Sequence, residues 1–499
     1  MLAAVAVPLA YFLRFGYGFG YSDQDEFLPW LRARLEPGLL SEDWFVASQQ
    51  SGFNVRTGFV WLLEAPSHLL GIENAVLLLY AGAMLALVLA VYHLARVLGA
   101  GEMGAIVASL AAVALLPRWT LGGNAAASSM LVPSLVAWSM GLWAVVNALR
   151  KQPGRAGLLV GLAAWIQILV AAQVGAIVLF ALLVAGPTTR KQAARFALPA
   201  LGLALPVAVL LALSGTGLPS DSFAILARIR APHHYLPSAF PASDYLQLAA
   251  LTAAGLWALS RTRLKRSASL NRLVGALLAG VLVAVTVGLI AWKTDSAFFL
   301  SLQPFKATVL GQILLVCTTC ALLPSTRLPG WTWTGALVAV VAAWAMIAAG
   351  FTVGGRPDIR QAPAAAAAAW VAERTLPRDR VAIPPSVTGF RYSSGRAIVI
   401  NFKAYPFTAD GTGEWLQRLT DWAPGALDGA GNSNWRATAS TLLPALDAGY
   451  ESLTPDSLAA LCVRYEVQIV VRRTPLAPHP GFQMAARDGE FLIYTRNTA

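Results

Sequence analysis

Long apolar runs dominate the first 350 positions, each ending where Lys, Arg or Pro returns. Segments of near-spanning length fall at 1–19, 73–98, 102–117, 125–149, 156–169, 171–186, 193–213, 244–260, 271–292, 307–323 and 331–350. A transmembrane helix takes about 20 apolar residues, so the pattern predicts about 11 crossings. The pair inside 156–186 is short enough to be broken or re-entrant. Arg14 interrupts the first segment, which lacks a small-residue cleavage site and reads as an uncleaved anchor.

The pattern changes at Phe351. An Ala-rich helix over 363–375 stops before Pro377, and RVAIPP and RAIVINF read as strands. Helices are expected at 413–422, 440–450 and 455–465, the last opened by Thr454-Pro455 with proline at the favoured first position. VQIVVRR reads as a strand, and Asp488-Gly489 marks a hairpin turn between MAAR and EFLIYTR. The predicted fold is therefore mainly α. Residues 1–350 form a polytopic transmembrane helical bundle, followed by an exported α/β domain over 351–499, a normal size for one domain.

Composition sharpens this reading. The chain is 57% hydrophobic and 12% charged, with a mean hydropathy of +0.60, whereas soluble domains carry about 25% charged residues. The net charge of +12 does not form a phosphate-binding face, which argues against nucleic acid as a partner. From Phe351 onward there are 15 basic and 13 acidic residues, while the first 350 positions hold 22 and 12. Arg96, the Arg150–Arg155, Arg190–Arg195 and Arg261–Arg272 clusters, and Arg327 fall on one side of the alternating spans. The opposite short loops hold Arg118, Arg228, Arg230, Lys293 and Lys306. The richer side is cytoplasmic by the positive-inside rule. A cytoplasmic N-terminus and exported 20–57 loop, 214–243 loop and C-terminal domain follow. The three cysteines suggest no disulfide framework; Cys317 and Cys320 read as small residues packing within a membrane helix, and Cys462 stands alone in the tail.

Of the 12 acids before Phe351, six lie between Asp23 and Asp43, just after the first apolar segment. Carboxylates at a membrane face are costly and are usually kept for a function. Phe27, Leu28, Leu31 and Leu35 share a helical face with Arg32 and Arg34 away from it, which predicts an interfacial helix on the membrane. Pro37-Gly38 ends that helix, and Ser41 is expected to cap a second one starting at Glu42. Two further exported connections carry polar residues: ARIRAPHHYLPSAFP, with Arg228, Arg230, His233 and His234, and WKTDSAFFLSLQPFKAT, with Lys306. Acids in one loop and cations in others suit a reaction that deprotonates one group and expels an anion. Asp23, Asp25 and Asp43 are the catalytic candidates, and Arg228, Arg230, His233, His234 and Lys306 the phosphate-binding ones. An alternative use of Asp23, Asp43 and His233 is to hold a divalent metal, Mg or Mn, against that phosphate. The competing structural readings are solvated acids at Glu26, Glu36 and Glu42, a His pair in a loop turn, headgroup contacts by the arginines and a snorkelling Lys306.

The stretches DQDEFLPWLRARLEPGLLSEDWF, RAPHHYLPSAFP, LQPFKA and FRYSSGRAIVINFKAYPF, followed by EWLQRL, give the chain a resemblance to the GT-C superfamily of membrane glycosyltransferases, and to an uncharacterised bacterial family near it. The resemblance implies a bacterial inner-membrane enzyme. It would transfer a hexosyl or pentosyl group from a polyprenyl-phosphate-linked donor to a glycan, lipid or protein acceptor at the exported face, with inversion. The first-loop acid that serves as base or metal ligand in that superfamily falls by position on Asp23 or Asp25, with Asp43 as a second acid. Gln24 separates the first two, a departure from the commonest paired-acid pattern. Two other classes fit less of the pattern. A transporter or flippase of lipid-linked glycans predicts more charged residues deep in the helices than Gln167 and Gln173 supply. A non-catalytic scaffold with a glycan-binding exported domain predicts no cleft joining the acids to the basic loops.

Overall fold

The computed structural model describes residues 2–215, 220–262, 266–323, 364–428 and 439–497. The predicted span at 331–350 lies outside them. The chain forms two compact units, each assembled from separate stretches. The first comprises Met1–Tyr17, Asn74–Leu210 and His233–Arg356; the second comprises Gly18–Glu73, Leu211–Pro232 and Pro357–Ala499.

The first unit is a bundle of apolar helices. Among the described residues three helices are long and apolar enough to cross a bilayer, Ile72–Val97, Pro187–Leu213 and Ala268–Lys293. Shorter apolar helices include Pro133–Leu149, Pro153–Ile166 and Ile168–Val184. The predicted interruption inside 156–186 falls at Gln167, whose extended backbone separates two helices and whose side chain caps the second through the Leu169 N–H. Along Pro187–Leu213 the side chains of Leu198, Leu201 and Leu205 are each more than 60% exposed and lie three and four residues apart. One helical face thus presents hydrocarbon outward, a face that lipid stabilises and water does not. Inside the bundle small residues permit close approach: a Cβ at Gly157 would clash with the Phe196 carbonyl oxygen, and one at Gly161 would meet the Leu203 Cβ at 2.6 Å.

Polar groups in this unit satisfy backbone. Arg14 Nη1 donates to the carbonyls of Ala114 and Leu115, both at 2.7 Å, at a π-helical turn that ends Glu102–Leu115. Gln312 Nε2 donates to Ala112 and Leu116 at the same turn, at 3.3 and 3.0 Å. The charge that interrupts the first apolar segment therefore caps a neighbouring helix end, where a cation is favoured. Cys317 and Cys320 are buried free thiols.

The second unit contains a five-stranded sheet in the order β2-β1-β3-β5-β4. Its strands are β1 (Arg380–Ala382), β2 (Ala397–Ile398), β3 (Val467–Arg472), β4 (Phe482–Asp488) and β5 (Phe491–Arg496). β1 pairs in parallel with β2 and β3, and the hairpin β4–β5 adds antiparallel to β3. Gly489 (φ +56°) supplies the left-handed residue of the hairpin loop. Thr454 caps Pro455–Arg464 by accepting the Ser457 N–H at 3.2 Å. Val381, Ile383, Phe390, Ile398, Ile469, Phe491 and Ile493 build the core with Ala367, Ala368 and Val371 from the helix Ala365–Arg374.

Two expected strands are shorter than their apolar pattern. Pro384 and Pro385 lack the N–H that would continue β1. In β2 the Ile398 N–H donates to Asp43, and the Val399 carbonyl accepts from Trp44 Nε1 and Arg418 Nη1. Two sequence expectations for the first loop are corrected. The helix Leu28–Leu35 does not offer an apolar face to the membrane, because protein covers Phe27, Leu28 and Leu31, all 0% exposed. Its second helix begins at Trp44 and is capped by Asp43, not Ser41.

Candidate active site

A 3-10 turn, Ser22–Glu26, carries three of the loop's acids. Three residues per turn put Asp23 and Glu26 on one edge and rotate Asp25 about 120° from Asp23 in the other sense. Each carboxylate meets a different partner within the second unit. Asp23 Oδ1 lies 3.2 Å from Lys403 Nζ, and its side chain is 54% exposed. Glu26 is 4% exposed and pairs with both Arg56 and Arg230, the latter at 3.2 Å. Arg230 Nη2 also donates to the Lys403 carbonyl at 3.1 Å, and its guanidinium lies over the Phe402 ring.

Asp25 is sealed. Both its oxygens accept the Gly389 N–H at 2.9 Å, and Oδ2 also accepts from Asn401 Nδ2 at 3.2 Å. Burial raises its pKa to about 7, against the opposing pull of the Gly389 N–H, Arg391, Asn401 and Lys403. Asn401 turns the other way as well: its Oδ1 accepts the N–H groups of Lys403 and Ala404, at 2.7 and 2.9 Å. Asp43 is also fully enclosed. Its Oδ1 accepts the Val46 N–H at 2.9 Å, and its Oδ2 accepts from Arg391 Nε at 2.7 Å and the Ile398 N–H at 3.0 Å.

The expected site residues thus separate by role. Asp23 presents an accessible carboxylate beside an ammonium. Asp25 and Asp43 are enclosed and bridge the first loop to the tail through these bonds. Both oxygens of Asp43 accept from protein donors, and His233 belongs to the other unit. Among the described residues no group of three or more His, Cys, Asp or Glu side chains is gathered closely enough to hold a metal ion. Arg230 is an internal ion-pair partner, whereas Arg228 is exposed. His233, His234 and Lys306 belong to the helical unit. The two imidazole rings lie 4.1 Å apart, and His234 Nδ1 lies 2.7 Å from the Gly122 carbonyl oxygen. Lys306 is half-buried on the turn Pro304–Ala307. The residues sequence reasoning passed over, Arg391, Asn401 and Lys403, all lie in FRYSSGRAIVINFKAYPF. That stretch carried the resemblance, but its charges had no assigned partners.

A family model described as a domain of unknown function (DUF6798) matches residues 362–422, a segment that contains Gly389, Arg391, Asn401 and Lys403. No curated protein sequence matches the chain. Among solved structures, ArnT from Cupriavidus metallidurans in the apo state is similar to it, at 13% identity and a TM-score of 0.43, covering 99% of this chain and 96% of that one. The same protein bound to undecaprenyl phosphate is similar at 13% identity and a TM-score of 0.41, covering 99% and 97%.

Proposed function

We propose that this protein is an inner-membrane glycosyltransferase that moves a sugar from a polyprenyl-phosphate-linked donor to an acceptor at the exported face. The observation that carries the reading is the contrast among the acids of the 3-10 turn. Asp25 and Glu26 are enclosed by donors, while Asp23 keeps an accessible carboxylate at the edge of a cluster holding Lys403, Arg56 and Arg230. The donor class follows from the superfamily resemblance of the sequence motifs.

In this reading Asp23 accepts the proton of an acceptor hydroxyl as its oxygen attacks the anomeric carbon. The new C–O bond forms opposite the departing phosphate, whose bond to the sugar breaks with its electron pair, giving inversion and a free polyprenyl phosphate. Cations of the same unit, Arg228 among them, would stabilise the charge that develops on that phosphate. The deep polar residues favour this over transport. Gln167 Oε1 accepts a backbone N–H, and the side-chain amides of Gln173 and Gln312 donate to backbone carbonyls.

The test is sugar transfer by the full chain in proteoliposomes, supplied with a panel of polyprenyl-phosphate-linked sugars. Transfer by the wild type that Asp23→Asn reduces by about 100- to 10,000-fold supports the reading. Undiminished transfer by Asp23→Asn overturns it.

A further inference from the structure

The helical unit has a basic corner that the proposed reaction does not use. The helix Ile168–Val184 ends there, and Gly186 (φ +143°) turns the chain into the helix Pro187–Leu213. A third helix, Ala268–Lys293, packs closely against the first: a Cβ at Gly280 would meet Ile177 Cγ2 at 3.1 Å. Followed along both helices, that packing brings Arg272 to the end of Ile168–Val184, where a Cβ at Gly186 would lie 3.8 Å from its Nε.

The last turn of a helix leaves carbonyls without partners and favours cations. Two arginines from different helices supply them here. Arg190 Nε donates to the Leu183 carbonyl at 2.8 Å, and Arg272 Nε donates to the Ala185 carbonyl at 3.0 Å. The accepting carbonyls belong to one helix end, and capping consumes Nε alone. A guanidinium also carries two Nη groups, which form the fork that matches a phosphate. Both arginines are exposed. No Asp or Glu occurs in 103–220 or 245–294, the stretches that carry all three helices, so none of them offers the forks a carboxylate.

The surroundings select the kind of anion. Leu183 and Val184 are 45% and 50% exposed beside the accepting carbonyls. The outward stripe of Leu198, Leu201 and Leu205 runs back at helical spacing through exposed Ala194 to exposed Lys191. Cations thus stand where hydrocarbon-bearing surface begins, an arrangement that fits an amphiphile better than a soluble phosphate.

We propose that Arg190 and Arg272 form a binding site for the phosphodiester headgroup of an anionic phospholipid, with Lys191 adding charge beside it and acyl chain lying along Leu183 and Val184. Holding each Nε on a carbonyl fixes the fork before the lipid arrives, which lowers the entropy lost on binding. The site involves none of the residues assigned to sugar transfer.

The full chain, in a neutral detergent, is titrated with dioleoyl phosphatidylglycerol, and bound lipid is counted by native mass spectrometry. Wild type is expected to take up one phosphatidylglycerol more tightly than any phosphatidylcholine, which has the phosphodiester without the net charge. Arg190→Gln and Arg272→Gln should each weaken that first event about fivefold, the effect of one cation at an anionic headgroup. Arg190→Lys should fall between, because it keeps the charge and loses the fork. Arg150→Gln, which removes an exposed arginine from another basic loop, should leave binding within about twofold of wild type. Unfolding midpoints establish that each variant is folded, and Arg190→Gln carries the test if loss of the Arg272 cap prevents folding. Equal weakening by all three Gln variants would reveal a diffuse basic surface and overturn the site, as would unchanged binding by Arg190→Gln. Displacement of the lipid by millimolar inorganic phosphate would assign the pair to a soluble anion and overturn the lipid proposal.

Discussion

Asp43 and Arg391, 348 residues apart in sequence, form an ion pair at 2.7 Å in which neither side chain is more than 1% exposed. The guanidinium also lies over the Phe45 ring, 5.0 Å from its centroid. The carboxylate caps the helix Trp44–Gln50 while holding the edge of β2. Removing one partner of a buried pair leaves an uncompensated charge, at a cost of about 3–5 kcal/mol. Asp43→Ala should therefore lower the thermal unfolding midpoint strongly, measured on the full chain in detergent. A midpoint within experimental error of wild type would refute the fastening role.

Asp23 should behave in the opposite way. Its carboxylate is half-exposed and its pair with Lys403 is open to solvent, so Asp23→Asn is expected to change stability by no more than about 0.5 kcal/mol. Equilibrium unfolding of the two variants side by side separates an acid available for chemistry from one that holds the unit together.

Asp25 makes stability depend on pH. Its carboxyl is raised to about 7 in the folded chain, from an ordinary value of 3.8. Between those values the folded state keeps a proton that the unfolded state has lost. The contribution of Asp25 is therefore full below about pH 4, falls as pH rises towards 7 and is level above it, with a slope of at most ~1.4 kcal/mol per pH unit. Unfolding midpoints from pH 4 to 8 should show this fall, and Asp25→Asn should flatten it. An unchanged profile in that variant would assign the dependence elsewhere.

Glu26 and Arg230 should be energetically coupled. Arg230 reaches Glu26 from the 211–232 stretch and also binds the Lys403 carbonyl. A double-mutant cycle with Glu26→Gln and Arg230→Met should give a coupling of about 1–3 kcal/mol. Additive losses would mean that Arg56 alone satisfies Glu26.

The outward leucines of Pro187–Leu213 test the membrane face. Leu201 is 63% exposed, and an aspartate near the middle of a spanning helix costs about 2.5–3.5 kcal/mol on insertion. Leu201→Asp should reduce the inserted fraction in a membrane-integration assay. Full insertion would indicate that this face meets water or protein.

The first loop shows how far residue patterns reach. Its acids stood out by position, with Asp23 and Asp43 each beside an apolar boundary. The pattern did not distinguish Asp23 from Asp25, two residues away. That difference comes from Gly389 and Asn401, which close over one carboxylate and not the other. The periodicity of Phe27, Leu28 and Leu31 located a buried helical face but said nothing of what buries it. Glu26 looked as solvated as Glu36, yet two arginines enclose it while Glu36 remains exposed beside Arg32.

Local chemistry determined much by itself. Apolar runs specify helices that need lipid, prolines and glycines punctuate the tail, Thr454 caps a helix, and a glycine turn closes the hairpin. These are short-range rules, each satisfied within a few residues of backbone. The pairing of acids with cations was left to the tertiary structure, because Asp23, Asp25 and Asp43 find Lys403, Gly389 and Arg391 more than 340 residues along the chain. A carboxylate becomes a fastener or a base according to whether neighbours remove it from water and satisfy its lone pairs. No spacing in one loop encodes that outcome.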